Sequence, residues 1–148
     1  MIHRQHRSAT RRAGLTLIEF MVVVAVIAVV TTIALPGFQT ATKRSNEASA
    51  IASLKNITNA QNQYKIRFGT FGGVPDLHAA GLIDQNFEDS EKSGYTFQNV
   101  SAPSIAQWEL EAVPAINAGD RYFYVDSSGV IRFNDGAQAG PTDRPVDG

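Results

Sequence analysis

Residues 15–35 form an apolar run broken by a single charge, Glu19, and preceded by a basic segment that ends at Gly14. Laid out as a helix at about 1.5 Å per residue, that run covers roughly 31 Å, which matches a hydrocarbon core of about 30 Å. Valine is frequent between Met21 and Val30 and weakens a helix in water. Lipid reverses that preference, because it offers backbone N–H and C=O groups no partners and so enforces helix. A carboxylate inside such a span costs about 2.5–3.5 kcal/mol on insertion scales, so its presence points to a partner that neutralises it.

The net charge of −1 conceals an asymmetry. Arg4, Arg7, Arg11 and Arg12 precede Gly14 with no acid among them, leaving nine Lys and Arg against fourteen Asp and Glu in the remainder, a balance of −5. A cationic flank beside a span holds its own side in the cytoplasm, so everything beyond residue 35 is expected in the periplasm or outside the cell. Secretory cleavage has only poor candidates such as Thr32-Ile33-Ala34. The pair Arg11-Arg12 is too little for a twin-arginine signal ahead of so hydrophobic a core.

Of the 148 residues, about 110 follow the apolar run, enough for one modest core and no second domain. The chain has no cysteine, which excludes a disulfide framework, thiolate metal ligation and thiol catalysis. Pro36-Gly37 removes a helix hydrogen bond and loosens the backbone, predicting a kink or a locally melted turn. From there to 68 the pattern is amphipathic. Ile51, Leu54, Ile57, Gln61, Tyr64 and Phe68 recur at threes and fours, while Lys43, Arg44, Glu47, Asn56, Asn59 and Lys65 take other faces. Gly69 is a good stop, so one helix is expected over 15–68.

Residues 69–92 are turn-rich and read as a connector, with a short helix around Leu77 to Ala80 that ends at Gly81. Four strands are predicted over 93–134, at 95–100, 107–113, 121–125 and 130–134, the last two joined by the tight turn Asp126-Ser127-Ser128-Gly129. Tyr95, Phe97 and Asn99 alternate with Thr96 and Gln98, as Trp108, Leu110 and Ala112 do with Glu109 and Glu111, so one sheet face should be wet and the other covered by the helical stripe. The expected fold is α+β: a long N-terminal helix, its upper half (15–35) membrane-spanning, against an antiparallel sheet of about four strands. Ile51, Leu54, Ile57, Tyr64, Phe68 and Trp108 are the predicted head core. Residues 135–148, rich in Gly, Pro and small side chains, read as a mobile tail.

The run Arg11-Arg12-Ala13-Gly14-Leu15-Thr16-Leu17-Ile18-Glu19-Phe20-Met21-Val22-Val23 resembles the prepilin leader of type IV pilins and type II secretion pseudopilins. The resemblance is specific from Arg11 to about Tyr64 and architectural beyond. It implies a leader, 1–14, cut after Gly14 by a dedicated membrane peptidase that then methylates the amine of Leu15. It makes Glu19 the fifth residue of the mature chain and puts Pro36 where the family commonly carries a helix-distorting proline. Leu15 stands where phenylalanine is usual, and Phe20 where leucine is usual. Implied partners are identical or related pilin subunits, the prepilin peptidase, an inner-membrane platform protein and an indirectly acting ATPase. The new amine is cationic at neutral pH and lies within two turns of Glu19. With subunits stacked at an axial offset, each charge could cancel the burial penalty of its neighbour's opposite, making Glu19 a register peg.

Other functions find little support in the residues. After cleavage the single histidine is His78, with no nucleophile-elbow motif to serve, and the runs Glu88, Asp89, Glu91 and Glu109, Glu111 read as solvated, so no enzyme is expected. No cofactor is expected either, and packing accounts for Phe20, Phe38, Tyr64, Phe68 and Phe71 without an electron-transport role. The acidic mature chain has no basic cluster larger than Lys43-Arg44, so no direct nucleic-acid contact is predicted. Asp135, Asp143 and Asp147 offer oxygen ligands that suit calcium, but not in an EF-hand spacing. Two alternatives to a pilus subunit stay open: a secretion pseudopilin, and an uncut, non-polymerising membrane-anchored binding module in the periplasm.

Overall fold

The computed structural model describes residues 14–84, 87 and 90–147, with the backbone alone at 33 and 34. The leader arginines and the acids Glu88 and Asp89 lie outside the described residues. The chain divides into two compact units between Phe38 and Gln39.

Helix α1, Leu17–Phe68, carries Pro36 inside it and remains helical through Gly37. Of the kink or locally melted turn expected at Pro36-Gly37, the melted turn is absent. A proline ring clashes with the carbonyl one turn earlier, and the helix divides there, into Leu17–Thr32 and Leu35–Phe68. Taken singly, neither piece is long and apolar enough to cross a membrane, whereas the two pass that test together. In the first unit every described side chain is exposed.

In the second unit α1 turns one stripe inward: Ala50, Leu54 and Ile57 are fully buried, with Gln61 and Ala60 beside them. Gly69, at φ 74°, stops the helix where a side chain would strain it. A short helix, α2, follows at Val74–Ala79, its first turn held by Asp76 Oδ2, which accepts from Gly73 N at 2.8 Å. The sheet then runs as a meander of six strands in chain order: β1 Glu91–Lys92, β2 Tyr95–Asn99, β3 Glu109–Pro114, β4 Arg121–Asp126, β5 Arg132–Asp135 and β6 Arg144–Pro145, every neighbour antiparallel. Ser93 at φ 51° and Gly94 at φ 74° close the first hairpin, the paired left-handed conformation that a two-residue turn needs.

The two strands beyond the four expected are the edges. Each has two residues, too short for any alternation to show. The last of them lies in the stretch read as a mobile tail, where Val146 N bonds Ile131 O at 2.9 Å, Ala139 is buried and Val146 packs on the core.

The inner face of the sheet registers Phe97, Ala112, Phe123 and Phe133 across four strands. With Leu110, Val125 and Trp108 it closes on Leu54 and Ile57 to make the core. Of the predicted core residues, Leu54, Ile57 and Trp108 are buried, and Ile51 and Tyr64 are partly buried against the cluster. Phe68 is not in the core: 56 % exposed, it lies on the last turn of α1, touching Tyr64 with ring centroids 4.4 Å apart. Phe71 enters the core in its place, because the chain reverses at Gly69. Gly72 permits the reversal, since a Cβ there would meet the Tyr64 ring at 2.9 Å. Gln61 then seals the corner, donating to Gly72 O at 2.6 Å and accepting from Gly72 N at 3.1 Å.

Candidate functional site

The N-terminal unit begins with a reciprocal cap. Thr16 N donates to Glu19 Oε2 at 2.8 Å and Thr16 Oγ1 to the same oxygen at 2.9 Å, while Glu19 N donates to Thr16 Oγ1 at 3.3 Å. This is a capping box, Thr16 at the N-cap and Glu19 three residues on, and it satisfies donors that a helix start leaves open. In a single chain, then, Glu19 is held by its own first turn. The spacing Thr-x-x-Glu ahead of an apolar run is the sequence signal for such a cap.

Around the carboxylate stand Leu15, Ile18, Val22 and Val23, and the apolar surface continues with Val26, Ile27, Val29 and Val30, all exposed. Thr31 Oγ1 donates to Ile27 O, and Thr32 Oγ1 to Val29 O at 2.7 Å, so neither hydroxyl interrupts that surface. Gly14 has open space around it: a Cβ would meet nothing within 4 Å. Among the described residues nothing packs against Gly14 in a way that requires glycine.

In the head, two carboxylates expected in water are buried. Glu47, 5 % exposed, accepts from Asp120 N at 3.0 Å and from Arg121 Nε at 2.7 Å. Its position one turn ahead of Ala50 and two ahead of Leu54 puts it on the inward stripe. Nearby, Lys43 Nζ pairs with Asp120 Oδ1 at 2.6 Å, so α1 is clamped to the start of β4.

Glu111, 6 % exposed, sits on the face expected to be wet, where it registers with Gln98 on one side and Tyr124 on the other. The C-terminal stretch covers it. Gln98 Nε2 and Gln138 Nε2 each donate to its carboxylate, Arg132 Nη1 donates to Asp143 O at 2.9 Å, and Gly140 N donates to Asp143 Oδ2 at 2.8 Å. Asp147 meets Lys55 at 3.3 Å, and no group of three acids or histidines gathers to hold a metal among the described residues.

Two tyrosines have their phenols held neutral. Burial pushes Tyr95 well up, helped by the nearby Glu47 carboxylate and opposed by Arg121, while its hydroxyl donates to Arg121 O at 2.8 Å. Burial also pushes Tyr124 up to about 12, with Glu109 and Asp126 adding to the effect and Arg132 opposing it.

The described residues therefore bring Gly14, Leu15, Thr16 and Glu19 together at the start of a bare apolar helix. Residues 9–35 match the prokaryotic N-terminal methylation motif. A type IV major pilin protein of Neisseria gonorrhoeae is 32 % identical over 73 residues, 49 % of this chain and 33 % of the relative. A fimbrial protein of Neisseria meningitidis is 33 % identical over 64 residues, 43 % of this chain and 38 % of the relative. A type IV wide pilus major component of Thermus thermophilus is 32 % identical over 89 residues, 60 % of this chain and 64 % of the relative.

Over part of its length the chain is similar to type IV pilins. The matched stretches cover 33 % and 38 % of the two Neisseria proteins and under two thirds of the Thermus one. The pilin-like chain agrees with that family in architecture as well: a long N-terminal helix with an antiparallel sheet closed over its second half.

Proposed function

We propose that this chain is the structural, non-catalytic subunit of a type IV pilus-like filament. It is inserted with its N-terminus in the cytoplasm, trimmed after Gly14 by the prepilin peptidase, methylated on Leu15, and drawn through an inner-membrane platform protein into a fibre outside the cell. The apolar helix supplies the fibre's core, residues 36–68 lead down from it, and the head is carried outside. What supports the pilus reading is the likeness of part of the chain to relatives described as pilus and fimbrial proteins.

One observation carries the reading. Every described side chain of the first unit is exposed, an apolar surface far beyond the few hundred Å² that a soluble monomer leaves open. That surface needs lipid first and other copies afterwards. Glu19 supplies the register: the amine created at Leu15 on one copy competes with Thr16 for the carboxylate of its neighbour, and only one axial offset brings the charges together.

Intact-mass measurement tests the processing, since a mature chain beginning at Leu15 with one added methyl group supports it and an uncut monomer favours an anchored binding module. Glu19→Gln should still insert but yield few fibres; wild-type fibre yield from that variant ends the register role. Shearing separates the destinations: long fibres released from the cell surface are expected, and their absence from cells that assemble the protein points to a secretion pseudopilus.

A further inference from the structure

The loop between β5 and β6, residues 136–143, does not project beyond the sheet. It folds back over the outer face as far as β3, where Gln138 Nε2 donates to the Glu111 carboxylate. Both its ends are fixed. Gly136 N donates to Asp120 O at 3.0 Å, and Arg144 registers with Phe133 on β5. Between those ends the loop turns on itself, Gly140 N donating to Asp143 Oδ2 at 2.8 Å and Asp143 N to Gly140 O at 3.2 Å. A loop with neighbouring ends and bonds of its own is a compact body on the surface.

What holds this body down is polar. Besides Gln138 on Glu111, Arg132 Nη1 donates to Asp143 O at 2.9 Å and Asn134 Nδ2 to Asp143 Oδ1 at 3.3 Å. Ala139 is the one buried apolar side chain that the loop contributes. Water can replace each of the polar contacts, so lifting the loop loses little free energy. The strands differ, since β3 and β4 carry Leu110, Ala112, Phe123 and Val125 of the core and open only with it. The closed position also has a cost. Arg132 Nε, on the guanidinium that anchors Asp143, is buried without a hydrogen-bond partner among the described residues. Opening lets water reach that donor and removes the penalty of leaving it unpaired.

We infer that residues 136–143 are a lid that opens and closes over the outer face while the head stays folded, with Gln138 on Glu111 as its catch. Gly136, at φ 76°, lets the backbone bend at one end of it. Opening turns the buried carboxylate out to solvent and leaves the core untouched. Gln98 Nε2 still donates to Glu111, so the uncovered acid stays in place. A hydrogen bond to a carboxylate is stronger than a neutral one, so position 138 sets how often the lid opens. The lid belongs to a single head and needs no neighbouring copy.

The chain has no cysteine, so a thiol placed at Ala139 reports the lid alone. In full-length chains held in detergent, Ala139→Cys should react with a thiol reagent at least about tenfold faster than Ala60→Cys, whose site on α1 is buried in the core. Denaturant too dilute to shift the Trp108 signal should leave the first rate nearly unchanged and raise the second, because global opening exposes far more surface. Adding Gln138→Ala should speed the lid thiol about tenfold further, the worth of a hydrogen bond to a charged group, with the Trp108 melt unmoved. Gln138→Lys, whose ammonium can reach the same carboxylate, should bring the rate back down. Equal rates and equal denaturant slopes for the two thiols overturn the lid, since the loop then opens only with the whole head. A Gln138→Ala chain that reacts no faster overturns the catch, as does a Gln138→Lys chain that reacts as fast as the Gln138→Ala one. Should Ala139→Cys fail to fold, the parent chain decides. An elastase-type protease, which cuts after small residues such as Ala137 and Ala139, should nick it inside the lid while Trp108 keeps its folded signal; resistance until the head melts overturns the lid as well.

Discussion

The two halves of α1 are helical for different reasons. From Gln39 onward the helix has a packed stripe, Ala50, Leu54 and Ile57, closed by the sheet and by the Glu47–Arg121 pair. Up to Phe38 every described side chain is exposed. Burial stabilises the first case, as it does most helices in globular proteins. The other depends on its solvent, since valine-rich sequence gains its helix where backbone groups have no alternative partner. One element thus serves two environments, and mutations in one half should leave the other half standing.

Leu54→Ala is the harshest way to break that separation. Removing a fully buried leucine side chain should cost about 2–5 kcal/mol, read from the shift in denaturant midpoint of the full chain in detergent. The single tryptophan, Trp108, is buried in the head and reports it selectively. Its transition should move while the helical signal of the apolar half persists; a single shared transition would show that the halves are one cooperative unit.

Alkali sharpens the contrast with less force. Tyr95 and Tyr124 are both held protonated above the usual range of a phenol, and the apolar half has no tyrosine. The unfolded chain releases these protons near pH 10 while the folded head keeps them. Head stability is therefore complete below about pH 10 and falls as pH rises toward 12 and beyond. Tyr95→Phe should flatten that fall, and a titration curve identical to the parent's would show that Tyr95 is not responsible.

The smallest effect lies at the other end. Thr16→Ala removes the cap, worth about 1 kcal/mol, and should lower amide-exchange protection of the first turn about fivefold without moving the Trp108 transition. Unchanged protection would mean that lipid or detergent already satisfies those donors.

Much of this was legible from local pattern. The stop at Gly69, the short helix near Leu77, the four central strands and the Asp126 turn all follow from spacings of two to four residues, within which backbone preferences operate. The capping box was equally legible, being a spacing of three. Phe68 was misplaced because periodicity alone ignores the reversal that follows it: the stripe continues on paper while the chain has already turned at Gly69. Edge strands β1 and β6 had no pattern to find, since two residues cannot alternate.

The sequence by itself determined that an apolar helix with one early carboxylate would lead into an amphipathic one, that a meander would follow, and that stability would come without disulfides. Only the tertiary structure decided the fate of the charges. Glu47 is buried because Arg121 and the Asp120 amide arrive from far along the chain, and Glu111 because Gln138 and its neighbours fold back over a face that alternation assigned to water. An apolar residue seeks burial wherever it stands, so its pattern can be read locally. A carboxylate accepts burial only when distant donors meet it, and those donors come together only in the finished fold.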